Sequence, residues 1–513
     1  SKATNDIKSW PGNGSDVTNE GQYLAPFKDV DGDGIYDYRN GDYPYYLLPD
    51  VDPNDQFPTI PGTPKVECND YLFGDKTIWW VFNDVGNAHT ETSSDPIGLE
   101  IRAQAFGFKT NDEINNMTFY KYQIINRSSN TLTETYFGQW VDPDLGNYLD
   151  DYVGCDVPRG LGFVYNGDAD DETASGYGSN PPALGVDFFQ GPIADKNDGV
   201  DNDRDGCVDC TFLEDSLGNT VSYDDDILGE QIIMSKFVYY NNDNTPLGNP
   251  SGFSDFYNYL RGIWRDNQPI TYGADGRDPS APNCNFMFPG TTDPDNFPTL
   301  GEWSEFSAGN VPADRRFLQS AGTFTLTPGA VNYVTTGVVW ARAQQGGPLA
   351  SVDLMKLADD KAQALFDNCF KLIDGPNAPD LAIRELDKKF IFSLQNYNTS
   401  AVELYSQEDP TIVGVDDSLK TFDFQGYQVF QLKDATVTTA DIGNPDKVRL
   451  IYQCDIKDGV AQLVNFEFDP NLNANVPIEK VNGADKGISH TFIVNQDLFA
   501  TGSTALVNHK TYY

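Results

Sequence analysis

Apolar and polar residues alternate in three early runs, Leu99–Phe108, Met117–Asn126 and Thr131–Trp140, separated by turn residues such as Lys109-Thr-Asn-Asp112. A period of two predicts strands of an antiparallel sheet with one face on a core. Ile78-Trp-Trp-Val-Phe82 is apolar throughout and reads as a buried strand. Ile232–Tyr240, Thr323–Gly329 (led in by Arg316–Gly322) and Asn332–Ala343 read as further strands. Helical spacing occurs twice. Ser254–Trp264 is one helix, with Ser254 as its N-cap. Ser351–Phe370 is the other, capped by Ser351 and carrying a stripe of Val352, Leu354, Leu357, Ala358, Leu365 and Phe366. Residues 141–230 show no clear period and read as acidic loops, a long stretch to leave without regular structure in a compact domain.

Asp374-Gly-Pro-Asn-Ala-Pro379 reads as a linker. Beyond it short strands recur at regular spacing: Leu381–Leu386, Lys389–Leu394, Phe424–Leu432, Val448–Tyr452, Gln462–Phe468 and Thr491–Val494. This cadence predicts an immunoglobulin-like or fibronectin type III sandwich. Gly426-Tyr-Gln-Val-Phe430 resembles the third strand of fibronectin type III domains, and His509-Lys-Thr-Tyr-Tyr513 the sixth. In that register the last strand lies beyond residue 513, so the chain is expected to be a piece of a longer polypeptide. The expected fold class is mainly β. Residues 1–70 form a loop-rich N-terminal segment. Residues 71–375 form a large antiparallel β-sandwich with acidic loops and one or two helices. Residues 380–513 form an incomplete fibronectin-type domain.

Charge sharpens the picture. Against 34 Lys and Arg stand 77 Asp and Glu, a formal charge of −43. Nucleic-acid binding needs a basic footprint that this chain lacks, and anionic membrane surfaces are disfavoured for the same reason. No apolar run is long enough to span a bilayer.

The acids are patterned. Asp29-Val-Asp31-Gly-Asp33-Gly34-Ile35-Tyr-Asp37 is repeated almost position for position by Asp201-Asn-Asp203-Arg-Asp205-Gly206-Cys207-Val-Asp209. Carboxylates at positions 1, 3 and 5, a glycine at 6, a backbone carbonyl at 7 (Ile35, Cys207) and an acid at 9 are what a calcium loop requires. An EF-hand would carry Glu at position 12, where these loops have Asn40 and Phe212. Both have an acid at position 14, Asp42 and Glu214, that could close the shell instead. A looser third cluster holds Asp142, Asp144 and Asp150, then Asp151 and Asp156. Asp168–Glu172 and Asp224–Asp226 read more simply as polar loops. The expected cofactor is Ca2+, since so many close carboxylates repel without a cation.

Seven cysteines, an odd number, leave at least one unpaired within this chain. Cys207-Val-Asp-Cys210 has no second CxxC and no histidine at ligand spacing, which argues against zinc; a local disulfide is the preferred reading. There is no HExxH and no GxSxG. His89 is the one histidine in a polar setting suited to chemistry. Trp79, Trp80, Trp140, Trp264, Trp303 and Trp340 could stack on sugars, although tryptophan at strand positions is usually core.

Asp29–Asp37 with Gly41-Asp-Tyr-Pro44, Trp79–Asn83, Tyr136–Asp144, Asp198–Asp209 and Arg316–Pro328 together resemble large secreted proteins of Bacteroidota, a group without an assigned activity. The resemblance implies export by the type IX secretion system and a place outside the cell or at its surface. The expected function is a calcium-stabilised structural or adhesive protein of a surface appendage or filament. Its expected partners are further copies, other surface proteins or a glycan. The alternative is a secreted hydrolase or carbohydrate-binding protein.

Overall fold

Strands dominate the computed structural model. It describes residues 5–10, 12–13, 27–45, 73–86, 88–110, 112–204, 206, 208–209, 213–214, 220–222, 230–297, 299–373, 375–376, 378–395, 402–409, 412, 420–438, 441–469 and 474–513. Two compact units are present, Ser1–Phe370 and Lys371–Tyr513.

The principal strands of the first unit are β1 Lys76–Asn83, β2 Leu99–Gly107, β3 Met117–Asn126, β4 Leu132–Val141, β5 Asp151–Asp156, β6 Leu161–Asn166, β7 Ala183–Gln190, β8 Lys236–Asn241, β9 Arg315–Leu326 and β10 Val331–Ala341. Its longer helices are α1 Phe253–Leu260 and α2 Gly347–Asp367. Seven strands form one antiparallel sheet in the order β1-β2-β3-β10-β7-β6-β5, and three form a second in the order β8-β9-β4. The sheets face each other across a core. Val153, Val164, Val186 and Phe188 come from the large sheet, Phe237, Phe317 and Phe324 from the small one, and Tyr259 and Trp264 from in and after α1. Fully burying one such aromatic contributes about 1.5–3 kcal/mol.

Helix α2 covers the other face of the large sheet, against β6, β7 and β10. Gly185 permits the approach, because a Cβ there would lie 2.6 Å from Met355 Sδ. With a sheet on one side and α2 on the other, β6 is buried at every position; so is the edge strand β5, which β9 and the short helix Glu305–Ala308 cover.

The alternating runs are strands where the pattern placed them, and the mainly β, sandwich-type fold is the one expected. Several local readings need correction. Ile78–Phe82 lies on an edge strand rather than a buried one, with Ile78 56% exposed. The stretch 141–230 holds three strands of the large sheet, β5, β6 and β7. Helix α1 is capped by Gly252, not Ser254, and α2 begins after Gly346 with Pro348 in its first turn, upstream of Ser351. Ser351 is a buried brace: its hydroxyl donates to the Pro181 carbonyl at 2.7 Å and accepts from Ala343 N at 3.0 Å. Leu357 of the expected stripe faces outward, while Met355 and Ala362 face in.

In the second unit the principal strands are β11 Asp380–Leu386, β12 Lys389–Gln395, β13 Gly426–Leu432, β14 Val448–Asp455, β15 Gln462–Asp469, β16 Ala474–Asn482 and β17 Thr491–Val494. β11-β12-β17 form one sheet; β13-β14 and β15-β16 form hairpins. The β12/β17 and β13/β14 faces close on Leu394, Val402, Phe424, Tyr427 and Phe492. Tyr452 stacks on Phe492 with centroids 4.0 Å apart. Residues 509–513 are not a regular strand, although the Tyr513 carbonyl accepts from Leu432 N at 2.9 Å. No described helix is long and apolar enough to cross a membrane.

Candidate metal centres

Among the described residues three groups of carboxylates converge, and in each group one oxygen from each acid lies within 4.8 Å of the others: Asp29, Asp31 and Asp42; Asp142, Asp144 and Asp314; Asp201, Asp203 and Glu230. Oxygens this close could gather on one calcium ion, at about 2.4 Å each, after shifts of a few tenths of an ångström.

The first loop sits between the paired ends Phe27–Lys28 and Tyr43–Pro44. Asp29 accepts Gly32 N at 2.6 Å and Gly34 N at 2.7 Å. Gly34 has φ +77°, a left-handed turn suited to glycine. These contacts, led by the Gly34 amide, hold the Asp29 carboxyl below its usual pKa. Asp31 is instead pushed up by desolvation, with Asp33 and Asp42 adding repulsion. Asp42 is buried and accepts Val30 N and Asp37 N, both at 2.9 Å, which carries it into the group. Asp33 and Asp37 are not members; they fold back on the amides of Ile35 and Arg39. The Ile35 side chain is exposed.

The second loop repeats the key contact. Asp201 accepts Gly206 N at 3.1 Å, as Asp29 accepts Gly34 N, and Gly206 has φ +96°. Asp209 lies elsewhere, accepting Gly199 N at 2.9 Å. Asp205, Cys207, Cys210 and Asp224–Asp226 fall outside the described residues. Glu214 is in a short strand pairing with Thr220–Ser222. The acid that joins Asp201 and Asp203 is Glu230.

In the third group Asp314, just before β9, replaces the expected Asp150. Arg316 already pairs with this group, at 2.9 Å to Asp142 and 3.5 Å to Asp314, and offsets one of its three charges. Asp144 is nonetheless pushed up by desolvation and by its two acidic neighbours. Asp150 sits beside Asp151, whose buried carboxyl is pushed up to about 8 by desolvation, with Asp150, Asp171 and Asp144 adding repulsion. Neither Glu230 nor Asp314 had a local signal in the sequence, because each reaches its group through the fold.

His89 Nε2 is 2.6 Å from the Asp84 carbonyl and Nδ1 is 3.3 Å from Ser94 Oγ, so both ring nitrogens are engaged within one turn. Trp264 and Trp303 are core, while Trp140 is 54% exposed and bonded to Tyr240 through its indole N–H. Cys155, Cys284 and Cys454 are free thiols, and Cys369 is disulfide-bonded. No protein-family model matches the chain, and a search of curated proteins found no match.

Proposed function

We propose that the chain is a calcium-stabilised, non-enzymatic extracellular protein with a structural or adhesive role in a bacterial surface appendage or filament. The observation that carries this reading is the repeated aspartate-to-glycine contact, Asp29 to Gly34 and Asp201 to Gly206, each beside a converging carboxylate triad. The triads stand on a β framework with a formal charge of −43. Such a surface repels itself until cations neutralise it, and calcium is plentiful outside cells. Export by the type IX route rests on the sequence resemblance alone. The hydrolase or carbohydrate-binding alternative draws less support, because His89 is held at both nitrogens and Trp264 and Trp303 are buried.

Calcium removal tests the reading. With free calcium at 100 times Kd, one filled site stabilises the fold by about 2.7 kcal/mol. A chelator should therefore lower the melting temperature and remove a calcium-dependent sedimentation or filament signal. An identical melting curve with and without chelator would defeat the metal reading. A strictly monomeric protein that cleaves glycans in a substrate screen would favour the hydrolase.

A further inference from the structure

We infer that Asp201, Asp203 and Glu230 form a calcium clip that fastens the two ends of the acidic stretch 201–230 to the sandwich core. The inference rests on the calcium reading above and assigns that role to one site. Two oxygens mark this site out from a merely acidic surface. Glu230 is 3% exposed, and its Oε1 is buried with no hydrogen-bond partner. Asp201 Oδ1 is buried and unpartnered in the same way. Both residues belong to the group whose ligand oxygens lie within 4.8 Å. A buried carboxylate oxygen without a donor is costly, and a bound cation supplies what it lacks. The ligands are all hard oxygens, which suits calcium or magnesium and not a thiophilic metal.

The site is anchored on both sides. Glu230 Oε2 accepts Asn202 N at 2.5 Å, so the two ends of the stretch already touch. Ile233 N reaches the Asn202 carbonyl at 3.3 Å. The Glu230 carbonyl accepts Ala194 N, and Ile232 N donates to the Pro192 carbonyl, both at 2.8 Å. Ile232 and Met234 then enter the core. Beside Asp203, Arg204 donates to the Met234 carbonyl at 2.9 Å and lies 5.1 Å from the Phe286 ring centre. An ion held by both ends would thus be tied to the sandwich through Ile232 and Met234. Among the described residues, the three acids of the first loop all fall within Asp29–Asp42.

The test compares the full chain with Glu230→Gln, Asp201→Asn and, at the first loop, Asp31→Asn. Calcium titration gives stoichiometry, and limited proteolysis with fragment mapping reads protection of residues 204–229. Losing an outer-shell partner alone weakens a metal site roughly 10- to 100-fold. Glu230→Gln and Asp201→Asn should therefore bind one calcium fewer and be cut in 204–229 even in calcium. Asp31→Asn should keep that protection. Glutamine can still accept Asn202 N, and an unchanged far-UV circular dichroism spectrum checks that the variants fold. If Glu230→Gln and Asp201→Asn bind as much calcium as the parent and stay protected, the clip is overturned while calcium at the first loop stands. Parent protein that binds no calcium at all overturns both readings. Equal protection by magnesium overturns the assignment to calcium.

Discussion

Arg315→Met is expected to destabilise the first unit by about 3–5 kcal/mol, the range for removing one partner of a buried ion pair. Glu305, in the short helix Glu305–Ala308, is fully buried, and Arg315 at the start of β9 nearly so. The guanidinium reaches Glu305 Oε2 at 2.8 Å through Nη2, and donates further to the Asn241 side chain and the Val311 carbonyl. Glu305 also accepts Val153 N at 2.9 Å and Asn310 Nδ2 at 3.0 Å. The pair thereby joins β5, β8 and β9 at one end of the sandwich. Burial pushes the Glu305 carboxyl up, and Arg315 is the chief force opposing that. Without Arg315 the carboxyl must stay charged and unpaired or take up a proton. The deficit should therefore shrink as pH falls. Adding Glu305→Gln to Arg315→Met should recover much of the loss, since an uncharged amide needs no counter-ion. Chemical denaturation of the single and double variants measures this. A single variant within about 1 kcal/mol of the parent, the usual span for a surface pair, would show that the pair does not bear on stability.

What the sequence disclosed follows from how many faces each element buries. β2, β3 and β4 carry alternation because the two faces of each strand meet different surroundings. β6 and β7 do not, because α2 and the small sheet cover their two faces, and β5 does not, because β9 and the short helix Glu305–Ala308 pack on it. Asp151-Tyr-Val-Gly-Cys-Asp156 buries all six positions, so it has no period to detect, and its end aspartates make it look like loop. Ser351 imitates a cap because serine before an apolar stripe is the usual start signal, yet the chain enters α2 at Gly346-Gly347-Pro348. The carboxylate groups were legible where their members are local. Asp29, Asp31 and Asp42 fall within one turn-rich stretch, and the glycine at position 6 fixes the fold-back of the first aspartate. Glu230 and Asp314 come from distant chain positions, and among 77 acids nothing marks them out. Asp33 and Asp37 show the converse: they match the ligand pattern, but the loop's own amides engage them.

Raising pH is expected to weaken the seating of α2 on the large sheet, and Asp187→Asn is expected to relieve that weakness. Asp187, on β7, is 1% exposed and both its carboxylate oxygens lack hydrogen-bond partners. Asp359, on α2, is 2% exposed with one such oxygen. Around them stand Asp156 at the end of β5, Arg159 after it, and Lys356 and Asp360 on α2. The cations are already engaged. Lys356 reaches Asp156 at 2.9 Å, and Arg159 bridges Asp156 at 3.1 Å and Asp360 at 2.8 Å. Four carboxylates thus face two cations, and Asp187 and Asp359 are left to each other. Desolvation, then mutual repulsion for Asp187 and Asp360 for Asp359, pushes both well above the ordinary range. A proton on one of them supplies the missing donor. The native state holds this proton at pH values where the unfolded chain has lost it, so the contribution is complete below the ordinary Asp pKa of about 3.9 and is lost as pH rises through the raised value. Between those limits the loss is about 1.4 kcal/mol per pH unit for each proton. Asparagine at 187 donates without titrating, so the stability of Asp187→Asn relative to the parent should climb with pH, and Asp359→Asn should behave alike. Glu100, held down through Arg127 and Arg102, acts in the opposite direction at low pH in both proteins and cancels in the difference. Parallel stability profiles for parent and variants from pH 5 to 9 would mean that the two carboxyls share no proton.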